Sequence, residues 1–420
     1  MRDDQTHIEL GTYPSGLPAL LAHSDRRRHL YLIGKTGTGK STLLANMMLA
    51  NLDRGHGFAL LDPHGDLAMM VADAVPRWRT NDVIYLDPAD LEHPIGFNPL
   101  SSVEPDRRPL VAAHLVAAFQ HIWGDSWGPR LEYILSNALR LLLEAPGSTL
   151  LGLPRLLSDD RYRRSLLAHA RDPVIRAFWL SEFAGWSERY ASEALAPVQN
   201  KVGTLLGPPV LRNMLGQTRS AFNVRRIMDE GRVLIVNLAK GKLGEAPTRL
   251  LGAFLATAFA QAAQSRADVA EHDRPDFTLY ADEFQNFATT SFAEILSEAR
   301  KHRLALVLAH QFLGQLPDLL RQAVIGNAGT IVAFRVGAED AALIAAELAI
   351  DTPQALCDTR NFSAWIKLMQ GGLPSDAMPI ATLPPLPTAS HRLAAVRSRT
   401  RARFARPRSN VEARIARFLD

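Results

Sequence analysis

Short apolar runs recur along the chain, and most are followed by a glycine- or aspartate-rich turn and then by apolar residues at helical spacing. This alternation is typical of a parallel sheet whose strands are joined by helices. The predicted strands are 29–33, 58–61, 83–86, 233–238, 277–281, 304–309 and 331–335. Phe362–Met369 is predicted to add an edge strand. The pattern therefore predicts an α/β fold with a central, mostly parallel sheet.

The stretch from about Glu104 to Arg226 lacks comparable strand patterns. Apolar residues instead recur at helical spacing in 110–120, 131–144 and 162–170. We interpret 105–225 as an all-helical domain inserted into an α/β domain formed by 29–104 and 226–375. Trp123, Trp127, Trp179 and Trp186 fall in the insert, where core packing explains them better than base stacking. Residues 1–28 form a lead-in, in which 8–16 is typical of a short hairpin.

Composition favours a globular protein in a reducing compartment. Of the 420 residues, 47% are hydrophobic and 21% charged, which allows a large core. The single cysteine, Cys357, excludes an internal disulfide framework and is better explained as a small buried side chain than as a nucleophile. We find no signal peptide and no stretch of about 20 apolar residues; Leu250–Ala263 is short and suits a buried helix. A cytoplasmic protein without an integral membrane anchor is expected.

Positive charge is concentrated at the C-terminus, although the net charge of the chain is only +4. Residues 376–420 are interpreted as a proline-rich linker, stiff over 379–387, followed by a basic tail. The tail arginines are Arg392, Arg397, Arg399, Arg401, Arg403, Arg406, Arg408, Arg414 and Arg417. Only Glu412 and Asp420 oppose them from residue 390 onward. Such a tail favours a polyanionic partner, but a solvated extension explains it equally well.

A glycine-rich motif follows the first predicted sheet strand. The segment Gly34-Lys35-Thr36-Gly37-Thr38-Gly39-Lys40-Ser41-Thr42 contains G-x-x-x-x-G-K-[ST] in full. The glycines let backbone N–H groups converge on phosphate oxygens, and the following helix directs its positive end at the same anion. Lys40 would reach the β- and γ-phosphates, and the Ser41 hydroxyl would ligate Mg²⁺. The sequence therefore predicts that this P-loop binds ATP with Mg²⁺.

Polar residues at two other strand ends complete the predicted site. Asp282 and Glu283 follow the strand 277–281. Asp282 would hold Mg²⁺ through water and Glu283 would polarise the attacking water, as a hydrolase requires. Strand 304–309 ends in His310 and Gln311. Because ligands collect at the carboxyl ends of parallel strands, Gln311 could sense the γ-phosphate or orient water, whereas a structural role suits His310 better.

Three charged residues each allow two interpretations. Arg300 lies near the end of an amphipathic helix predicted over 291–303, where it either complements the helix dipole or serves as an arginine finger in a neighbouring subunit's site. Asp62 either faces the nucleotide or forms a turn. Arg335 is either a phosphate-directed cation or a surface charge.

Together these motifs resemble those of the type IV coupling proteins, ATPases of the HerA/FtsK group of hexameric, RecA-like DNA pumps. The resemblance covers about Leu30–Leu373 and rests on 34–41, 61–66, 280–285, 296–301, 309–311 and 334–335. The order of the later motifs is more specific than the P-loop alone. A strand that ends in Asp-Glu is followed by a helix that ends in Arg-Lys and then by a strand that ends in Gln. The resemblance implies a RecA-like motor with an all-helical insert, Arg300 as the trans-acting finger and Gln311 as the reader of the γ-phosphate.

The resemblance also implies partners. They are DNA, contacted through its backbone without reading of the bases, and further copies of the chain in a hexameric ring. A secretion-channel or relaxosome protein is the third implied partner. Membrane-bound coupling proteins have transmembrane helices before the P-loop, whereas about 30 residues precede it here; we therefore expect a cytoplasmic protein or one peripheral to the inner membrane. Two alternatives stay open: an ATPase that drives protein secretion or assembly, and a slow nucleotide-dependent recruitment switch.

Overall fold

The computed structural model describes residues 7–289, 292–387 and 391–420, and these divide into two compact units. Unit 1 comprises the chain up to Leu86, Val224–Ala239 and Leu255–Thr400. Unit 2 comprises Asp87–Asn223, Lys240–Phe254 and Arg401–Asp420. The predicted insert, 105–225, falls almost wholly within unit 2, which also takes in segments beyond the predicted bounds.

Unit 1 is built on one large sheet. The strands are β1 His7–Thr12, β2 Pro18–Ala22, β3 Leu30–Ile33, β4 Phe58–Asp62, β5 Val83–Leu86, β6 Val233–Asn237, β7 Phe277–Ala281, β8 Leu304–His310, β9 Thr330–Ala333, β10 Ser363–Lys367, β11 Met369–Gln370, β12 Leu373–Pro374 and β13 Met378–Thr382. Eleven of them form a sheet in the order β2-β1-β13-β10-β9-β3-β8-β7-β4-β6-β5. The run from β9 to β5 is parallel, and the four strands beyond β9 are antiparallel. The predicted α/β fold with a mostly parallel sheet is confirmed.

The helices, in chain order, are α1 His23–Arg26, α2 Lys40–Asp53, α3 Asp66–Asp73, α4 Arg108–Trp123, α5 Pro129–Glu144, α6 Gly152–Ser158, α7 Asp160–Leu167, α8 Pro173–Ala177, α9 Glu188–Leu206, α10 Pro209–Leu215, α11 Val224–Asp229, α12 Lys240–Leu243, α13 Glu245–Ser265, α14 Phe292–Glu298, α15 Asp318–Asn327, α16 Ala338–Leu348, α17 Gln354–Cys357, α18 Leu393–Phe404 and α19 Arg408–Leu419. Every residue of the central parallel strands is buried, as in sheets covered on both faces. Helix α2 contributes Leu43, Leu44, Met47 and Met48 to the same core. No helix in the described residues combines the length and apolar character needed to span a membrane.

The sheet extends further than the sequence predicted. The hairpin of β1 and β2 is present, but it joins the sheet through pairing of β1 with β13. Strand β10, predicted as an edge strand, lies between β9 and β13. Part of the proposed linker 379–387 is strand β13, in which Ile380 and Thr382 are buried while Ala381 is exposed. Pro379 within this strand and the prolines that follow it, Pro384 and Pro385, obscured its alternating pattern, which is typical of a half-buried strand.

The C-terminal segment that was predicted to be a basic tail is instead helical. Its described residues, 391–420, contain two helices. Helix α18 buries Val396 and Thr400, and α19 buries Val411 and Ile415, four residues apart. The arginine content hid this apolar spacing. Part of the charge is neutralised within unit 2, where Arg401 pairs with Asp90 at 2.6 Å and Arg408 with Glu92 at 3.1 Å and Glu412 at 2.9 Å.

The described part of unit 2 is helical from residue 105 onward apart from connecting segments, whereas 87–104 is irregular and contributes only the isolated bridge of Ile95 with Ala405. Helix α5 buries Leu131, Leu135, Ala138 and Leu142 along one face at the spacing of an amphipathic helix. Trp123 and Trp179 of unit 2 lie in aromatic clusters. Trp179 is buried against Phe178 and Phe183, and Trp123 stacks between Phe119 and Trp127.

Candidate nucleotide-binding site

The predicted site segments meet at one edge of the sheet. Strands β3, β8 and β7 are neighbours and run parallel, so the P-loop after β3, Gln311 after β8 and the acidic pair after β7 share the carboxyl edge. Burial lowers the pKa of the Lys40 ammonium, and the nearby charges of Glu283 and Asp282 counteract this shift. Lys40 and the acidic pair are therefore close in space although about 240 residues separate them in sequence.

The P-loop is tightly curled around its own lysine. Lys40 Nζ donates hydrogen bonds to the carbonyl of Gly34 and, at 3.1 Å, to that of Lys35. Thr38 Oγ1 donates to the same Lys35 carbonyl at 2.8 Å. The Lys35 N–H donates to the Arg335 carbonyl at 2.8 Å, so the backbone of Arg335 anchors the loop to the end of β9. The side chain of Arg335 is half-buried. The ammonium thus already lies where phosphate oxygens could replace the loop carbonyls.

Two glycines of the loop are required by close contacts. A Cβ atom on Gly34 would lie 2.5 Å from Cβ of Phe334. Gly39 has a φ of 120°, and a Cβ atom there would lie 3.2 Å from both the Phe334 and the Phe362 rings. Side chains at these positions would push the loop away from the strand end or strain it. The side chains of Phe334 and Phe362 thus lie against the loop and leave space only for glycine at these two positions.

The acidic pair is buried at the end of β7. Asp282 is 4% exposed and Glu283 is 7% exposed. Burial, together with the charges of Asp62 and Glu283, raises the pKa of Asp282 to about 7, and the Lys40 charge only partly opposes this. Three carboxylates in one buried place repel each other, and a bound cation would relieve that repulsion. The carboxylate oxygens of Asp282 are ligands of the kind that a hard divalent cation such as Mg²⁺ prefers.

We expect Asp282→Asn to stabilise the metal- and nucleotide-free protein at about pH 8 by about 2 to 4 kcal/mol. The pKa of Asp282 in the folded state, about 7, lies above the ordinary value of 3.8. Ionisation of Asp282 therefore destabilises the native state relative to the unfolded state, fully above pH 7 and not at all below pH 3.8. An asparagine Oδ1 can still accept the Glu283 N–H, which lies 3.1 Å from Asp282 Oδ1. Denaturant unfolding in a chelator measures the difference, which should vanish near pH 4. Exposed Asp376→Asn is the control; a gain for Asp282→Asn that is independent of pH would contradict the argument.

The Glu283 side chain is held by two amides. Gln311 Nε2 donates to Glu283 Oε1 at 2.8 Å, and Gln285 Nε2 donates to Oε2 at 2.7 Å. The backbone of Glu283 is left-handed, with a φ of 46°, and its carbonyl accepts from Asn286 Nδ2 at 2.8 Å. A non-glycine residue in this conformation persists where surrounding contacts determine it. The carboxylate is thus fixed at the strand end, in direct contact with Gln311.

Asp62 and His310 lie inside the site region but bond to the protein. The two carboxylate oxygens of Asp62 accept the N–H groups of His64 at 2.9 Å and Ala68 at 2.8 Å, so Asp62 forms the turn into α3 while its charge still acts on Asp282. His310 is buried and hydrogen-bonded to the Tyr31 hydroxyl, and burial lowers its pKa to about 3. A neutral, structural His310 agrees with the sequence interpretation.

Arg300 is not part of this cluster. The predicted helix 291–303 is α14 over its described residues, followed by a 3-10 turn over Ala299–His302; Ser291 lies outside the described residues. Arg300 is exposed and precedes the start of β8, and its charge acts on His29, which precedes the start of β3. It therefore lies at the amino edge of the sheet, opposite the P-loop of its own chain.

The roles of three side chains in this site do not follow from the sequence: Phe334, Phe362 and Gln285. Gln285 and Phe334 belong to motifs that carry the family resemblance, and the spacing of two residues from Glu283 is the signal for a role of Gln285. Phe334 and Phe362 are single aromatic residues at strand boundaries, and no pattern in the sequence distinguishes their contacts with the P-loop from ordinary core packing.

The strand order, the glycine loop after β3 and the acidic pair after β7 define a P-loop fold of the RecA-like class. A family model, described as the type IV secretion-system coupling protein DNA-binding domain, matches residues 15–349, and the chain belongs to this family. A comparison with curated protein sequences finds no match.

Solved structures share the fold over almost the whole chain. Plasmid coupling protein TrwB in complex with ADP and Mg²⁺ aligns with a TM-score of 0.66 at 17% identity, covering 92% of each chain. TrwB with a non-hydrolysable ATP analogue aligns with a TM-score of 0.64 at 18% identity, covering 91% of this chain and 90% of that one. VirB4 of Thermoanaerobacter pseudethanolicus aligns with a TM-score of 0.60 at 14% identity, covering 90% and 96%. At these identities the likeness establishes the fold.

Proposed function

We propose that this protein is an ATP-hydrolysing motor that assembles as a ring, a hexamer, and moves DNA by contacts to its backbone. The observation that carries the proposal is the convergence of Lys40, Asp282, Glu283 and Gln311 at the carboxyl edge of the sheet. Membership of a coupling-protein family named for DNA binding supports DNA as the load.

The residues would divide the chemistry as follows. The loop Gly34–Thr42 would hold the triphosphate, with Lys40 leaving the loop carbonyls for the phosphates. Ser41 and Asp282 would hold Mg²⁺, which neutralises phosphate charge when bound. Glu283 would orient the attacking water and take its proton, and Gln311 would link that carboxylate to the γ-phosphate. The TrwB structures with ADP and Mg²⁺ and with an ATP analogue support ATP and Mg²⁺ as the ligands.

A ring assembly would complete this site. Arg300 is exposed at the amino edge of the sheet, so it cannot serve the P-loop of its own chain. In a head-to-tail ring each P-loop faces a different surface of the next subunit. That arrangement would bring Arg300 of one copy to the triphosphate of another, where it would stabilise charge in the transition state.

We expect DNA to stimulate ATP hydrolysis, with a stimulation that falls steeply as salt is raised. Arg406 and Arg414 are exposed on the C-terminal segment. If they contact phosphates, the double change Arg406→Glu and Arg414→Glu should weaken DNA binding equally for all DNA sequences. It should also reduce the slope of log binding constant against log salt concentration by about one for each lost contact. ATPase rates with and without DNA, and DNA binding at graded salt, measure both. A rate indifferent to DNA would contradict DNA movement and favour a protein load.

A further inference from the structure

Phe362 combines two features that core packing does not explain. Its side chain is 48% exposed. Its backbone has a φ of 59°, a left-handed conformation that is an outlier for a bulky side chain. Glycine or asparagine would adopt this turn with less strain, and burial of the ring offers little compensation. Strain of this kind at a site edge points to a role for the side chain.

The surrounding hydrogen bonds fix the ring beside the P-loop. The Phe362 N–H donates to the Thr38 carbonyl at 2.8 Å. The Phe362 carbonyl accepts from the Thr382 N–H at 2.9 Å and from Thr382 Oγ1 at 3.0 Å. On its inner side the ring lies 3.2 Å from the position that a Cβ of Gly39 would occupy. One part of the ring thus covers the loop, while nearly half of the side chain faces solvent.

We propose that the nucleobase of a bound nucleoside triphosphate stacks on the exposed part of the Phe362 ring. This inference rests on the proposed function, which assigns the phosphates to the loop Gly34–Ser41. A flat aromatic ring offers stacking but no hydrogen bonds to a base edge. The site therefore takes adenine and guanine nucleotides with similar affinity, and the base strengthens binding without deciding specificity.

Binding without hydrolysis tests the proposal. Calorimetry with ADP, GDP and inorganic pyrophosphate, each with Mg²⁺, compares ligands with and without a base. Phe362→Asn removes the ring and keeps a residue that tolerates positive φ. It should weaken ADP and GDP alike by about fivefold to tenfold more than it weakens pyrophosphate, the lower range for aromatic–base stacking. Phe362→Tyr should retain the affinity of the unsubstituted protein.

The controls separate the possible failures. Trp78→Ala removes another exposed aromatic side chain, one that lies beside Gly55, and should change nothing. An equal loss for pyrophosphate and ADP in Phe362→Asn would show that the ring supports the loop, and would overturn the proposal. Unchanged ADP affinity would overturn it as well. If the unsubstituted protein binds neither ADP nor pyrophosphate, the proposed function itself fails.

Discussion

Glu283→Gln is expected to lower the rate of ATP hydrolysis by about a hundredfold to a thousandfold while ATP binding is retained. The carboxamide has the shape of the carboxylate but cannot accept a proton from water, and a positioned general base contributes about 10² to 10⁴ in rate. Lys40 and the loop glycines are untouched, so the triphosphate is still held. Single-turnover hydrolysis and equilibrium binding of ATP measure the two quantities separately.

Glu294→Gln is a matched control for this change, because Glu294 is exposed on α14 and should carry no role in hydrolysis. The hydrogen bond from Gln311 also constrains this variant. Gln311 Nε2 donates to Glu283 Oε1, so the substituted side chain can keep this bond only if its amide oxygen faces Gln311. Hydrolysis within threefold of the unsubstituted rate would remove Glu283 from the catalytic role. If the unsubstituted protein hydrolyses ATP in steady multiple turnover and Glu283→Gln abolishes this turnover, the result would also argue against a slow recruitment switch.

Much of unit 1 could be predicted because its central strands are parallel and buried on both faces. Such strands appear in sequence as continuous apolar runs, and parallel order places all their carboxyl ends at one edge. The residues following β3, β7 and β8 could therefore be assigned to one site without knowing the strand order. The hydrogen bond from Gln311 to Glu283 could not be predicted, because strand ends fix positions only to within several ångströms.

The antiparallel part of the sheet was harder to predict, because its pairing joins the two ends of the chain. Gly11 pairs with Thr382, and a Cβ atom on Gly11 would lie 2.3 Å from the Ala381 carbonyl oxygen, so only glycine fits this approach. A single glycine in a short strand does not reveal such a partner. The helices α18 and α19 were hidden for a different reason. Their buried positions, such as Val411 and Ile415, are few and stand among arginines, whose charge dominates the local pattern.

Arg300→Ala is the second change with a large expected effect. If Arg300 completes the site of a neighbouring copy, its loss should lower hydrolysis by about a hundredfold or more, since arginine fingers contribute about 10³ to 10⁵ in rate. Nucleotide binding to the chain's own P-loop should change little, because Arg300 lies at the opposite edge of the sheet. Lys301→Ala removes a neighbouring exposed charge and should leave the rate nearly intact.

Mixing two inactive variants distinguishes a trans-acting arginine from a structural one. Subunits with Arg300→Ala keep an intact P-loop, and subunits with Glu283→Gln keep an intact Arg300. Where they alternate in a ring, the P-loop of the first meets Arg300 of the second, so the mixture should recover hydrolysis that neither variant shows alone. A finger acting within its own chain, or an Arg300 needed only for folding, predicts no recovery. Recovery that disappears on dilution below the assembly concentration would link hydrolysis to the oligomer, because the complete site would then exist only between copies.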